Sequence, residues 1–572
     1  MKSAKYHVSR SPRRPPSVKL PPSDPVLTST CMSPRHLSLS ILALGCVVVG
    51  WLVFVRSAFP PPRSISPAQP SATAFLTPAP FPTAMPSAAV FAADAQLEAL
   101  LAATDARANE ATLAFKDAAA YRRFLARARA AGLTLIGQID ALRTVRVGYE
   151  RITSIRDDRI THAADYADAA ANIIFRAPES PAKAARADLN QIPLHNTSLA
   201  FLGATGDRST WGRGITIAIL DSGVNALDPT FSGRVRTLDI GAGNLPGAET
   251  SSGHGTGVAA LAAGVSSDAP GVAPAANILS VRVTAADGLS DIFTVARGIV
   301  AAADAGAQII NISLGGYATT HVLDAAIDYA TTRGALIVAA AGNDQATQLT
   351  WPAADTRVVS VGAVDAIGQQ VTFSNSGPQL QVSAPGYGVQ TAWLDQQRVT
   401  VNGTSASAPL VAGSVAAVMS ADPRLTAAQA WAILAATTND AGAPGTDSDY
   451  GRGILNVGWA MSRHDPTRVD PAISSHHFDA AKNQMDFVIQ NRGAQPVSGL
   501  TLDIATNGFT TTQRVPTLAP GASTVLILPV DQKSLTSESA LIYRTTLHTP
   551  IGVNDADPSN NQKSSRLTPP KK

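Results

Sequence analysis

Five continuous apolar runs, separated by segments with helical periodicity, constrain the fold of this 572-residue chain more than any other feature. The runs are residues 215–220, 278–283, 309–314, 336–341 and 358–364. Two of the segments between them, at 292–300 and 322–329, place apolar side chains on one helical face. Apolar strands that alternate with helices are typical of a parallel sheet covered on both faces. The sequence therefore predicts an α/β fold with a mainly parallel sheet between two layers of helices.

Three reactive side chains lie far apart along this pattern, each near glycine. Asp221 directly follows the first apolar run, and His254 stands between two glycines. Ser405 follows Gly403-Thr404 and opens an apolar helical segment. Because functional groups of parallel sheets collect at the carboxyl ends of the strands, we expect the fold to bring these three residues together.

An Asp, a His and a Ser are the parts of an activated serine nucleophile. A serine hydroxyl needs a base to take its proton, and imidazole is suited to that near neutral pH. A carboxylate holds the imidazole in the right tautomer and stabilises its cation. We therefore predict Ser405 as nucleophile, His254 as general base and then acid, and Asp221 as the orienting residue. Pro409 is expected in the first turn of the helix that begins near Ser405, where proline is tolerated.

At these residues the chain resembles the subtilisin-like serine peptidases, the subtilase family. The resemblance rests on Asp-Ser-Gly-Val at 221–224, His-Gly-Thr-Gly at 254–257 and Gly-Thr-Ser-Ala-Ser-Ala-Pro at 403–409, in the family's order. It covers roughly residues 190–461 and implies a subtilisin-like three-layer fold. The implied activity is a serine endopeptidase that hydrolyses proteins or peptides through an acyl-enzyme intermediate, with no cofactor required for the chemistry.

The resemblance also implies residues that bind the substrate. Those that would pair with the substrate backbone as a strand are Ser313, Leu314, Gly315 and Gly316. Those that would form the opposite wall of the S1 pocket are Ala340, Ala341 and Gly342. The side-chain amide of Asn343 would complete an oxyanion hole with the backbone N–H of Ser405, and losing one such donor typically costs about 10²–10³ in turnover. Asp344 is a candidate for selecting a basic residue in S1, although we expect it to be a solvated loop acid.

Two other functions would use the same triad or the same fold. An esterase would share the triad but should show Gly-x-Ser-x-Gly, where this chain has Gly-Thr-Ser-Ala-Ser. A catalytically silent surface adhesin or binding protein would keep the fold as a scaffold. Calcium is compatible with the family, but residues 266–268 supply few oxygen ligands, so no metal site is predicted.

Composition divides the chain into seven segments. They are a basic cytoplasmic N-terminal segment (1–36), a transmembrane or signal-anchor helix (37–55), a Pro-rich linker (56–88), a propeptide-like α/β segment (89–187), the catalytic domain (188–464), an Ig-like β-sandwich (465–565) and a disordered tail (566–572). Within the fourth segment we expect a helix over 115–131 and two strands between 133 and 149.

The N-terminal segments predict where the protein acts. Residues 37–55 carry no charge and are just long enough to cross a bilayer, and the preceding 36 residues hold seven Lys/Arg and one acid. This excess predicts a cytoplasmic N-terminus and export of the rest to the periplasm or cell surface. A cleaved signal and a secreted protein are the alternative, but no small-x-small site lies close behind the apolar run.

The composition of the rest of the chain argues against two further classes of function. That part of the chain carries a net charge of about −3, which gives no support for nucleic-acid binding. The only cysteines, Cys31 and Cys46, lie near the N-terminus, so a disulfide, a thiol nucleophile and a cysteine metal site are excluded from the globular part.

The segments that flank the catalytic domain carry two further expectations. Residues 89–187 occupy the place of a subtilase propeptide, which templates folding and then inhibits the site, so we expect a zymogen that processes itself between Arg176 and Pro193. The C-terminal region resembles bacterial Ig-like modules of the CARDB type at 491–493, 518–521 and 557–561. A cell-surface or envelope ligand is the expectation there, and a passive spacer is the alternative.

Overall fold

The computed structural model describes residues 105–177, 191–240, 253–285, 288–531 and 540–567. Segments 1–36, 37–55 and 56–88 lie outside the described residues, and so do both cysteines. The same holds for residues 89–104 and for 178–190, the greater part of the expected processing region.

Residues 105–177 form an antiparallel sheet with two helices. The elements are β1 (Ala106–Phe115), α1 (Ala118–Arg127), β2 (Leu133–Ile139), β3 (Thr144–Tyr149), α2 (Thr153–Thr161) and β4 (Tyr166–Arg176). The helix is shorter than the predicted 115–131 because Phe115 pairs with Tyr166 as the last residue of β1. Asp117 then caps the helix by accepting from the amides of Ala119 and Ala120.

A seven-stranded parallel sheet forms the centre of the next segment. Its strands are β5 (Thr216–Asp221), β6 (Val235–Leu238), β7 (Asn277–Arg282), β9 (Ile309–Ile312), β10 (Leu336–Ala340), β11 (Val359–Val364) and β12 (Val382–Pro385), in the spatial order β12-β11-β10-β9-β5-β7-β6. Three short strands complete this segment: β8 (Leu289–Asp291), β13 (Val389–Ala392) and β14 (Arg398–Val401). The five predicted apolar runs correspond to β5, β7, β9, β10 and β11, which confirms the predicted fold class.

Helices cover both faces of this sheet. They are α3 (Ser198–Phe201), α4 (His254–Ala263), α5 (Ile292–Asp304), α6 (His321–Thr332), α7 (Thr404–Ala421), α8 (Ala427–Ala436) and α9 (Val457–Ser462). Successive residues of β5 alternate between two cores, since Ala218 and Leu220 pack with α5 and α6 whereas Ile217 and Ile219 pack with α4 and α7. Among the described helices, α7 alone is long and apolar enough to cross a membrane, but it is the buried core helix of the protein.

The first segment docks on the helical layer of α5 and α6. Its last strand, β4, pairs antiparallel with β8, so that the small sheet extends into the catalytic part. Phe175 of β4 and Phe293 of α5 belong to one continuous hydrophobic core. A partly buried ion pair supports the contact, because Arg146 of β3 lies 3.1 Å from Asp291 of β8. Glu110 of β1, 2.8 Å from Arg146, pairs with the same guanidinium.

The C-terminal residues form two antiparallel sheets around a shared core. One contains β15 (Pro471–Asp479), β16 (Gln484–Asn491) and β19 (Ser523–Pro529); the other contains β17 (Thr501–Ala505), β18 (Thr510–Arg514), β20 (Leu541–His548) and β21 (Gln562–Leu567). Phe487 from the first sheet packs with Tyr543 from the second. The last strand continues beyond the predicted boundary at 565, because Arg566 and Leu567 still pair with β20.

Candidate active site

Asp221 and His254 form a buried pair at the carboxyl end of β5. His254 Nδ1 lies 2.8 and 2.9 Å from the two carboxylate oxygens of Asp221, which is fully buried. The amide of Ser222 donates to the same carboxylate at 2.7 Å and fixes its orientation. Burial by itself would lower the pKa of His254, but the charge and the hydrogen bond of Asp221 outweigh it and raise that pKa above its usual value.

His254 is the first residue of α4, and close packing around it requires glycine. A Cβ at Gly255 would lie 2.3 Å from the carbonyl oxygen of Gly223, and one at Gly253 would lie 2.5 Å from the indole of Trp393. These glycines therefore let the chain after Asp221 and the Trp393 side chain pack against the start of α4.

Ser405 lies in the first turn of α7, which packs directly on α4. The expectation that Pro409 also lies in the first turn is wrong, because α7 begins at Thr404 and Pro409 is inside the helix. Proline has no N–H to donate to the carbonyl four residues earlier, which is that of Ser405. The hydroxyl of Ser313 donates to this carbonyl instead, at 3.2 Å. The predicted substrate strand is thereby bonded to the backbone of the predicted nucleophile.

Asn343 and Ser405 face the same small space. A Cβ at Gly403 would meet Ser405 Oγ at 2.9 Å and Asn343 Nδ2 at 3.2 Å, and Gly403 has a φ of +146° that favours glycine. The side-chain oxygen of Asn343 accepts from both the amide and the hydroxyl of Thr404, at 2.9 Å each. This fixes the amide so that its NH₂ group is turned towards Ser405.

A cavity of about 710 Å³ extends from this point along the predicted substrate strand. Its lining includes Ser313, Leu314, Gly315, Gly316, Ala340, Gly342, Asn343 and Thr404. Ala341 is not part of the lining; it is fully buried, and its carbonyl accepts from the side chain of Asn375. Thr350 also lines the cavity, and its hydroxyl donates to the carbonyl of Ala340 at 3.3 Å.

Asp344 lies at the rim of the cavity and is exposed, as predicted for a loop acid. Its carboxylate is nevertheless bonded, because Tyr317 donates its hydroxyl hydrogen to it at 2.5 Å. Tyr317 directly follows Gly316, so this bond connects the end of the predicted substrate strand with the loop after Asn343. Burial, followed by the Asp344 contact, raises the pKa of Tyr317 to about 12.

The end of β4 occupies part of the same cleft. Arg176 forms an isolated antiparallel bridge with Gly315, and the amide of Ala177 donates to the carbonyl of Gly288 at 2.9 Å. The fully buried ring of Phe175 packs on Gly316, where a Cβ would lie 2.8 Å from the ring. Residues 175–177 are thus held in extended form between two segments of the catalytic part.

Within the described ranges, no three His, Cys, Asp or Glu side chains lie close enough to hold a metal ion. The carboxylate of Asp268, one of the few possible oxygen ligands in the loop at 266–268, forms an ion pair with Arg398 at 3.0 Å.

Sequence reasoning missed three residues that support this site. Thr404 lies inside the motif at 403–409, but its role depends on the rotamer that brings its hydroxyl to Asn343. Tyr317 and Asn375 carry no local signal, since they reach the site only through long-range contacts.

The part of the chain that contains these residues is similar to known proteins. Residues 212–453 match the subtilase family. Subtilisin BL of Lederbergia lenta is 34% identical over 259 residues, which are 44% of this chain and 93% of that protein. Thermitase of Thermoactinomyces vulgaris is 35% identical over 250 residues, 43% of this chain and 88% of that protein. An alkaline protease of Shouchella clausii is 33% identical over 259 residues, 44% of this chain and 66% of that protein.

Proposed function

We propose that this chain, which belongs to the subtilase family of serine endopeptidases, hydrolyses peptide bonds through an acyl-enzyme intermediate. The residues that carry out the reaction are Asp221, His254 and Ser405. The observation that carries this assignment is the buried bond from His254 Nδ1 to Asp221 at 2.8 Å. Because Nδ1 is bonded to the carboxylate, the other ring nitrogen, Nε2, is the one that acts as the base.

The proposed reaction has two halves. Ser405 Oγ attacks the substrate carbonyl while its proton passes to His254 Nε2, and the carbonyl π electrons move to the oxygen. Asn343 Nδ2 and the amide of Ser405 donate to this oxyanion. His254 then gives the proton to the leaving amine as the C–N bond breaks. Water, activated by the same imidazole, hydrolyses the ester and restores Ser405.

The substrate is a protein or peptide bound in extended form. Its backbone pairs with residues 313–316, and its side chain on the acyl side of the scissile bond enters the cavity lined by Ala340 and Gly342. The bridge between Arg176 and Gly315 supports this arrangement, because it is an extended strand of the protein's own chain on the same backbone.

We further propose that the segment ending at β4 is a propeptide. It packs on α5 and α6 and pairs with Gly315 in the cleft, so it would exclude substrate until the chain is cut between Arg176 and Pro193. The precursor would then be a zymogen.

Export is proposed from the sequence alone. The uncharged stretch 37–55 behind a basic N-terminus supports a membrane anchor with the catalytic domain in the periplasm or at the cell surface; secretion after signal cleavage is the alternative. A cell-surface or envelope ligand of the C-terminal sandwich stays a prediction.

Labelling with a fluorophosphonate, which reacts with activated serines, tests the central proposal. The mature wild-type protein should be labelled and should cleave casein, whereas Ser405→Ala should do neither and should accumulate as the full-length precursor. Ser414→Ala is the matched control, because Ser414 is buried in the same helix and, among the described residues, its hydroxyl bonds to the carbonyl of Leu410 alone.

Two outcomes would contradict the proposal. Absence of labelling in folded, mature wild-type protein would favour the adhesin alternative. Normal trimming of Ser405→Ala would show that another protease removes the segment. Mass spectrometry of the N-terminus of the unprocessed Ser405→Ala precursor then distinguishes an anchor, which keeps residues 37–55, from a cleaved signal, which loses them.

A further inference from the structure

We propose that Asn375 is a positioning residue that holds the loop carrying Asn343 in the conformation needed to stabilise the oxyanion. This inference rests on the proposed function of Asn343 as oxyanion donor. Asn375 itself is fully buried and lies in the connection between β11 and β12, outside every motif of the catalytic triad.

Asn375 bonds to the backbone on both sides of Asn343. Its own amide donates to the carbonyl of Gly342 at 3.0 Å, and its Nδ2 donates to the carbonyl of Ala341 at 3.3 Å. Its Oδ1 accepts from the amide of Asp344 at 2.9 Å and from that of Ala346 at 3.0 Å. One side chain therefore satisfies backbone groups before and after Asn343 at once.

The loop needs such a partner because its backbone is not regular. Gly342 has a φ of +112° and Gln345 a φ of +55°, so residues 342–346 cannot continue β10 as a strand or begin a helix. Buried amides without a partner cost free energy, and Asn375 supplies the acceptor for two of them. A Cβ at Gly342 would lie 2.2 Å from Asn375 Nδ2, which shows how closely the side chain sits under this turn.

Asn375 and Thr404 hold different parts of Asn343. Thr404 binds the side-chain oxygen and so sets the rotation of the amide, whereas Asn375 binds the neighbouring backbone and so sets the position of Cα. An oxyanion donor acts through its distance to the developing charge, and catalysis is sensitive to shifts of a fraction of an ångström.

Asn375 is itself well anchored, and it contacts the substrate strand. The hydroxyl of the preceding Ser374 accepts from the amide of Ala363 in β11 at 3.2 Å. Asn375 Nδ2 also donates to the hydroxyl of Tyr317 at 2.9 Å. The side-chain amide of Asn375 therefore bonds both to Tyr317, which follows Gly316, and to the loop that carries Asn343.

The test is a double-mutant cycle on protein expressed as the full-length chain and assayed after maturation. We expect Asn375→Ala to lower kcat for a peptide substrate at least about 10-fold with KM changed less than about 2-fold, since the oxyanion exists only after attack. Affinity for a peptide aldehyde, which forms a tetrahedral adduct, should fall in parallel. In an Asn343→Ala background, Asn375→Ala should change kcat less than about 2-fold, because the donor it positions is gone.

Asn491→Ala is the matched control. Asn491 is another fully buried asparagine that braces a turn, with Nδ2 donating to the carbonyls of Gln495 and Leu518, but it lies in the C-terminal sandwich. It should lower thermal stability and leave kcat and aldehyde affinity unchanged. Should Asn375→Ala fail to fold, Asn375→Asp keeps the acceptor for Asp344 and Ala346 while removing the Nδ2 donor, and should give a smaller loss of kcat.

The outcomes separate this inference from the proposed function. An unchanged kcat in folded Asn375→Ala or Asn375→Asp, or a full additional loss in the Asn343→Ala background, overturns the positioning role while the protease assignment stands. An inactive wild-type protein, or full activity of Asn343→Ala, overturns the proposed function of the site and this inference with it.

Discussion

Arg176 and Gly315 exchange two backbone hydrogen bonds, with the amide of Arg176 donating at 3.0 Å and the amide of Gly315 donating at 3.2 Å. The first residue ends the last strand of the N-terminal segment, and the second lies in the cleft of the catalytic part. The pairing is antiparallel and leaves the Arg176 side chain exposed, while the Phe175 ring is buried on Gly316. The N-terminal segment therefore presents its own backbone where a substrate strand is expected to bind.

Phe175→Ala should make the precursor less inhibited. Truncating a fully buried phenylalanine typically costs about 3–5 kcal/mol, so the segment should leave the cleft at least about 100-fold more often. The measurement is the rate at which a fluorophosphonate labels the precursor before processing.

Leu135→Ala is the control for this prediction, since Leu135 is an apolar residue of the same segment that is 39% exposed. It should leave the labelling rate within about 2-fold of wild type. A Phe175→Ala precursor labelled no faster than wild type would show that this ring does not hold the segment in the cleft.

Activity should rise with pH through the pKa of His254, above the ordinary imidazole value of 6.5, because attack requires the neutral base. Asp221→Asn removes the cause that raises this pKa and leaves burial, which lowers it. The rising limb should therefore move to lower pH, and kcat should fall by about 10⁴.

Asp365→Asn is the control, because Asp365 is equally buried but, within the described ranges, accepts hydrogen bonds from backbone amides away from His254. Its pH profile should match wild type, and an unshifted limb in Asp221→Asn would contradict the assigned pair.

The raised pKa of His254 also makes the stability of the folded protein depend on pH. The His254–Asp221 contribution is complete below the unfolded imidazole pKa and is lost as pH rises through the higher folded value.

Thr404→Val should lower kcat about 10-fold with little change in KM. It removes the hydroxyl that donates to Asn343 Oδ1 and accepts from the amide of Gly342 at 3.2 Å. The lost bond to Asn343, at about 1.4 kcal/mol, corresponds to a factor of ten in kcat. Steady-state kinetics on a peptide substrate measure this. Thr438→Val, which removes a buried hydroxyl that donates to the carbonyl of Arg452, should leave kcat unchanged.

Asp440→Asn should stabilise the protein above pH 6. Burial, opposed by the Gly445 amide and reinforced by Asp447, raises the pKa of Asp440 to about 6, and its Oδ1 has no hydrogen bond to the described residues. A carboxyl whose pKa is raised in the folded state destabilises that state as pH rises from about 4 to 6 and the group ionises. The melting temperature of the variant should exceed that of wild type at pH 7.5 and equal it at pH 4; equal values at both would contradict the shift.

The local sequence predicted the strands of the parallel sheet but not every helix boundary. The apolar runs of β5 and β7 predicted their strands to within a residue, because continuous burial on both faces leaves a simple pattern. The position of Pro409 in α7 was wrong because the helix begins at Thr404, where the Asn343 side chain accepts the first free amide. That bond joins residues far apart in the chain, so no window of sequence contains it.

The sequence by itself determined the α/β class, the choice of Asp221, His254 and Ser405 as the candidate triad, and the glycines that leave room around them, since each depends on a side chain or a local periodicity. Only the tertiary structure decided how those groups are held. The bond from Tyr317 to Asp344, the four contacts of Asn375 with the backbone around Asn343, and the strand of residues 175–177 in the cleft all join distant segments. Such contacts form only when the distances between atoms are correct to within a few tenths of an ångström, and the packing of the whole domain sets those distances.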